Sequence, residues 1–257
     1  MLDRWPRPRT AKLQSQRRRT ELIISHAGQW VAFAPWKTAS STQHSRLSIH
    51  NQSAYGRFYY FNEYLNRVVH QHLTCADFVC LPESKLGYSK FSFVRNPYDR
   101  CYSGFLQLHR AVQNQPSMSF EAPWIKSLVL SQLKEVEADL AAAGGDFDTW
   151  MLAVREDQIF EIGRNTTFVL HPAHYWTHIA GTQYVDEIGR VESFEEDFDR
   201  ICRRFAITPA GNKNANVTSD VGSDGSYKYV GRMNGKSIDR INALFADDFD
   251  VFEYKKI

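Results

Sequence analysis

No stretch of this chain approaches the ~18–20 consecutive apolar residues needed to cross a bilayer. Nor does an apolar core follow the basic N-terminal residues, as a secretion signal would require. Both absences point to a cytoplasmic protein. Cysteine is scarce: Cys75, Cys80, Cys101 and Cys202 have no metal-ligand spacing and read as reduced, mostly buried thiols. The pattern G-x-x-x-x-G-K-[ST] is absent, which removes a Walker A loop. Neither an internal repeat nor a low-complexity tract is found. Net charge is small, +2 over 257 residues, but it is unevenly placed. Residues 1–20 carry seven basic side chains against Asp3, a local +6, so the remainder holds about −4 by subtraction. A slightly acidic body argues against a nucleic-acid surface. The basic segment contains Pro6 and Pro8 and lacks apolar periodicity, so we expect a disordered leader over 1–20 and a single domain over 21–257.

What is present centres on Phe91 to Phe105. Phe91, Phe93 and Val94 form a short β-prone run. Arg95-Asn96-Pro97 breaks it, because Pro97 cannot donate a ladder bond and pushes Asn96 away from helical backbone angles. Tyr98, Tyr102 and Phe105 then recur at helical spacing. An arginine thus sits at a strand end beside a helix N-terminus, with Ser103 further along the helix. Arginine, hydroxyl and free helical N–H groups make a phosphate site; the alternative is a core strand followed by a surface arginine.

A second turn of this kind lies upstream. Leu22-Ile23-Ile24 and Trp30 to Ala34 are apolar groups separated by His26 to Gln29, and the second reads as a buried parallel strand. It runs into Pro35-Trp36-Lys37-Thr38-Ala39-Ser40-Ser41-Thr42, and Gln43 to Gln52 then looks helical. Small hydroxyl residues and one lysine between strand and helix suit an anion, although a serine-rich cap reads similarly. Residues 54–67 are aromatic and irregular, filling the core or covering a cleft. In Val68 to Thr74, His70 and His72 share a face if the chain is extended. A third metal ligand is lacking, so general base and surface histidine are the remaining readings.

Further along, Ser127 to Ala143 has helical periodicity closed by Gly144-Gly145, and Asp146 to Val154 reads as a second helix. Tyr184 to Asp186 and Ile188 to Glu192 read as short strands around a turn. Phe194 to Phe205 is an acidic amphipathic helix, 208–226 a loop, and 237–245 a last helix. Alternating strands and helices imply an α/β protein with a central, mostly parallel sheet and ligand at its carboxyl edge.

The residues Phe93-Val94-Arg95-Asn96-Pro97-Tyr98-Asp99-Arg100 with Ser103, and Lys37 to Thr42, resemble two motifs of the carbohydrate sulfotransferases of the Golgi-type branch and its bacterial relatives. Asp186, Ile188-Gly189-Arg190, Glu192 and the 245–252 tail add weaker likeness, and Trp36 between Pro35 and Lys37 departs from the common pattern. The resemblance implies a P-loop-like three-layer fold and sulfonate transfer from 3′-phosphoadenosine 5′-phosphosulfate (PAPS) to a carbohydrate hydroxyl, without a required metal. It implies that Lys37, Thr38, Ala39, Ser40, Ser41 and Thr42 hold the 5′-phosphosulfate, and Arg95 and Ser103 the 3′-phosphate. Lys37 would also stabilise the leaving oxygen. His70-Gln71-His72 resembles the His-Gly-His segment of glycosaminoglycan 2-O-sulfotransferases, which implies His72 as base and His70 as second choice; Glu63, Glu83 and His174 are alternatives. Arg190 and Glu192 read as a structural pair, and Lys228 and Arg232 as residues that close over the nucleotide. A nucleotide kinase, a non-catalytic nucleotide- or glycan-binding relative, a lipid or peptide acceptor, and a lumenal Golgi domain are the rival expectations.

Overall fold

The computed structural model describes residues 22–55, 58–114, 120–211 and 227–257. The expected leader, and 212–226 of the expected loop, lie outside the described residues. In chain order the strands are β1 (Ile23–Ser25), β2 (Trp30–Phe33), β3 (Tyr59–Asn62), β4 (Arg67–His70), β5 (Ser89–Val94), β6 (His178–Ile179), β7 (Thr182–Gln183) and β8 (Glu187–Arg190). The helices are α1 (Ser40–Leu47), α2 (Cys75–Val79), α3 (Pro97–Gln113), α4 (Pro123–Ala142), α5 (Phe147–Ala153), α6 (Glu156–Phe160), α7 (Phe194–Arg204), α8 (Gly235–Leu244) and α9 (Ala246–Val251).

The central sheet has the order β1-β2-β5-β8. β1 and β2 form an antiparallel hairpin about His26 to Gln29, while β2–β5 and β5–β8 are parallel. Side chains of a strand alternate between faces, and here both faces are apolar. Trp30, Ala32, Phe91 and Phe93 join Leu47 of α1 and Phe194, Phe198 and Ile201 of α7. Ile24, Val31, Phe33 and Val94 point into the larger core with Tyr98, Leu108, Trp150 and Phe249. The sheet is therefore covered on both faces, which gives three layers. Gly189 of β8 lets Phe93 pack against it: a Cβ there would stand 2.5 Å from the Phe93 ring.

Three local expectations change. The first helix starts at Ser40 rather than Gln43, because the left-handed Ala39 (φ 59°) turns the chain directly into helical geometry. The aromatic 54–67 stretch contains β3 and the turn that leads into its antiparallel partner β4. Tyr184 to Asp186 is not a strand: the N–H groups of Tyr184 and Val185 bond the Thr177 carbonyl, and the hydrogen bonds to β5 come from Asp186, at Lys90. The cysteines are free, with Cys75, Cys101 and Cys202 buried and Cys80 exposed. No helix of the described residues is long and apolar enough to cross a membrane.

Candidate active site

The register of β2 against β5 pairs Phe33 with Ser92, so the turns that follow these strands open at the same edge of the sheet. The first turn runs from Ala34 to Ala39. Lys37 (φ 63°) and Ala39 (φ 59°) are both left-handed, at a cost of about 1–2 kcal/mol each for a non-glycine residue. Such a turn directs successive backbone N–H groups into one concavity. No side chain caps α1, and its first turn has no acidic residue; the Thr42 and Gln43 N–H groups bond the Ala39 carbonyl, so the Ser40 and Ser41 N–H groups and the helix dipole are available to an anion. Thr38 is fully buried. Its hydroxyl donates to the Pro35 carbonyl at 2.8 Å, and its carbonyl accepts from Gln43 Nε2 at 2.7 Å. Thr38 thus braces the turn through its side chain, and Ala39 has only backbone to contribute. Ser40 is half-buried, Ser41 exposed and Thr42 half-buried.

The second turn is short. Asn96 caps α3 by accepting from Asp99 N–H at 2.8 Å. Its own N–H and Nδ2 both donate to Glu192 Oε1 at 2.8 Å. Arg95, buried, lies 3.7 Å from the Asp99 carboxylate. Positions 95, 99, 103 and 107 are each four residues apart, so Arg95 precedes a stripe of α3 made of Asp99, Ser103 and Gln107. Lys37 Nζ reaches the end of that stripe, 3.5 Å from Gln107 Oε1. The structure therefore brings the Lys37 turn and the Arg95–Ser103 motif to one face of one helix.

Histidine completes the cluster. The β3–β4 hairpin delivers His70 and His72 beside the first turn, both buried. Their rings are nearly parallel, 7° and 5.0 Å apart. Trp36 lies against both, with centroid distances of 4.3 and 4.1 Å. The residue that departs from the motif thus packs the first turn onto the histidines. His72 Nδ1 lies 2.5 Å from the Ala34 carbonyl. A carbonyl only accepts, so Nδ1 carries the proton and Nε2 has the lone pair. His70 is the opposite tautomer: its Nδ1 accepts from His72 N–H at 3.3 Å, which leaves the proton on Nε2. Burial pushes both pKa values down, His70 well below the usual range and His72 to about 3; for His72 the Ala34 bond opposes burial and the Lys37 charge reinforces it. Both rings are neutral at physiological pH.

A model of the sulfotransferase family matches residues 37–255. The chain belongs to the sulfotransferase family. No curated protein and no solved structure matches it. The matched span begins at Lys37 itself and includes both histidines and the whole Arg95–Ser103 motif.

Other residues singled out in this sulfotransferase serve elsewhere. Arg100 is completely buried and donates to Asp248 at 3.0 Å and to the His171 carbonyl at 2.7 Å. His174 Nδ1 bonds the same Asp248 at 2.8 Å, so it belongs to this internal network. Glu83 accepts from Tyr55 at 2.6 Å, and Glu63 is exposed in the hairpin turn. Arg190 and Glu192 have different partners: Arg190 donates to the Phe252 carbonyl, whereas Glu192 holds Asn96 and Tyr254. Among the described residues, no group of three metal-ligating side chains is assembled.

Two contributors escaped the sequence reading. Gln107 has no motif signal beyond its spacing of four from Ser103. Tyr229 stacks on Tyr102 (4.8 Å, 16°) and lies beneath Arg95 and Arg232, both 5.8 Å from its ring. Backbone N–H groups of Lys228 and Tyr229 donate to Asp99 at 3.2 and 2.8 Å, which places this segment against the start of α3.

Proposed function

We propose that the protein moves a sulfonate group from PAPS to a hydroxyl of a carbohydrate. The observation that carries this reading is the convergence of the Lys37 turn, the α3 stripe and the His72 lone pair at one sheet edge. The uncapped α1 N-terminus and the Lys37 ammonium suit the 5′-phosphosulfate. Arg95, aimed by the locked second turn, and Ser103 suit the 3′-phosphate. Tyr229 and Arg232 offer an aromatic face and a cation beside that half. PAPS supplies the sulfonate and a stable leaving group. His72 Nε2 takes the acceptor proton while the acceptor oxygen bonds sulfur and the sulfur–phosphate oxygen bond breaks. Lys37 offsets the charge that grows on the departing oxygen. Burial keeps His72 neutral, with its lone pair on Nε2, which is the protonation state that a base requires. His70, with its proton on Nε2, is a donor and not the base.

A carbohydrate acceptor is favoured by exposed rings, one beside His70 and two further along the hairpin. Phe58 is exposed and packs its ring 4.4 Å from His70, and Phe61, also exposed, packs against exposed Trp124 at 5.8 Å. The test is transfer of radiolabelled sulfonate from PAPS to a panel of polysaccharides, lipids and peptides. Labelled carbohydrate is expected, with the rate reduced about 10²–10⁴-fold in His72→Ala. Unchanged transfer in His72→Ala contradicts the base. Labelling of lipid or peptide alone contradicts the acceptor class.

A further inference from the structure

When His72 takes the acceptor proton on Nε2, its ring becomes an imidazolium. The burial that keeps the ring neutral at rest opposes that charge, and so does the Lys37 ammonium. A histidine base is commonly helped by a carboxylate on its other nitrogen. Among the described residues no carboxylate is paired with His72, whose Nδ1 is held by the Ala34 carbonyl. Asp77, which lines the cavity beside the histidines, is spent on Arg67 at 2.6 Å. His171 lines the same cavity and is kept neutral by burial, as is His70. What faces His72 is aromatic. The Trp36 indole, only 9% exposed, lies 4.1 Å from the His72 ring and is tilted from it by 31°. That tilt is nearer a stacked arrangement than an edge contact, so the ring faces meet. A cation over the face of an indole is attracted by the ring quadrupole, most strongly where water is excluded. The indole is delivered by a braced turn, because the Pro35 carbonyl before it accepts the Thr38 hydroxyl at 2.8 Å. His70 steadies the other ring: its Nδ1 accepts from the His72 backbone N–H, and the two imidazoles are parallel within 7°.

Resting on the sulfonate-transfer reading above, we propose that Trp36 is a positioning residue whose indole face stabilises the His72 imidazolium while the proton is on Nε2. It acts through His72 and stands in for the carboxylate that the base lacks. The residue that departs from the common motif thus has a task of its own. One short turn then serves the base and the nucleotide together: Ala34 fixes the His72 tautomer, Trp36 offsets its charge, and Lys37 faces the phosphosulfate.

The experiment replaces Trp36 of the full chain by a series of progressively fluorinated tryptophans, which keep the shape of the indole while drawing density out of its face. With the acceptor labelled in the panel above, log kcat should fall in step with fluorination, about tenfold to thirtyfold over the series, as a desolvated cation–π contact allows. KM for PAPS should stay constant. Trp36→Phe should keep part of the rate, and Trp36→Leu, which has apolar bulk but no ring face, should lose most of it. A kcat that is flat across the fluorinated series overturns the proposal and leaves the indole as packing alone. If Trp36→Leu does not fold, the fluorinated series still decides. In parallel, the His72 ring resonance, identified by its loss in His72→Gln, is titrated with acid by NMR. Its midpoint should lie about one pH unit lower in the most fluorinated protein than in the wild type. Equal midpoints, or a His72 that takes no proton before the fold is lost, overturn the proposal whatever the activity. A lowered midpoint in a protein that transfers sulfonate to no acceptor contradicts sulfonate transfer instead and leaves the contact standing.

Discussion

The two strand-to-helix turns at the carboxyl edge of the sheet are built in opposite ways. After β2 the chain takes a long path through two left-handed residues and enters α1 without a side-chain cap. After β5 it turns within Arg95 and Asn96, and nearly every polar group is tied down, to Asp99, to Glu192 or within α3. The first turn keeps its donors and its strain for a ligand. The second spends its polar groups on rigidity and so fixes one arginine. Function and stability are therefore separable at the first turn and bound together at the second.

The largest effect is expected just inside the locked side. Arg100→Ala leaves Asp248 buried without its cation, and equilibrium urea unfolding should show a loss of about 3–5 kcal/mol. At the open turn the balance reverses. Lys37→Ala should slow sulfonate transfer by about 10²–10³, equivalent to about 2.7–4 kcal/mol in the barrier, while the unfolding free energy moves by less than about 0.5 kcal/mol. A comparable stability loss in Lys37→Ala would break the contrast. Asn96→Ala removes the α3 cap and should cost about 1–2 kcal/mol in the same unfolding assay, with weaker nucleotide binding as Arg95 loosens.

Acid sharpens the comparison, because His72 is bonded to the open turn. Burial holds His70, His72 and His171 below the ordinary 6.5, with His72 at about 3 and His171 at about 4. Above pH 6.5 both the folded and unfolded chains carry these groups neutral, so they leave stability unchanged. Below it the unfolded chain takes up protons that the native state refuses. Stability should then fall by about 1.4 kcal/mol per pH unit for each histidine until the native values are reached. Thermal unfolding between pH 7 and 5 measures this; a flat profile would mean that the rings are not buried neutral. The smallest effect is expected in Ala39→Gly, which relieves a left-handed residue but frees the unfolded chain, for a net gain of about 0.5 kcal/mol.

Much of this was legible in the sequence because it is local. The Phe91–Phe105 strand, break and helix are specified by neighbouring residues, as are the β2 strand and the Gly144-Gly145 end of α4, where Gly145 N–H bonds the Leu140 carbonyl. The three-layer order follows from strands apolar on both faces. The β3–β4 hairpin was hidden because Tyr59, Tyr60 and Phe61 are all aromatic, which erases the alternation of buried and exposed positions. At the site, Lys37, Arg95 and the histidines could each be named, but not the contacts that hold them. The opposite tautomers of His70 and His72 depend on the Ala34 carbonyl, 38 residues away from His72 in sequence. The packing of Tyr229 on Tyr102 and the contact of Lys37 with Gln107 are likewise long-range.

The proposed holding of the two phosphate ends of the nucleotide by Lys37 and Arg95 is tested most directly by isothermal titration calorimetry with 3′-phosphoadenosine 5′-phosphate on the wild type, Lys37→Ala and Arg95→Ala. One molecule should bind per chain, with affinity at least about tenfold weaker in each variant, as the loss of a charge-assisted contact requires. Equal affinity in all three proteins, or no binding to the folded wild type, would contradict it.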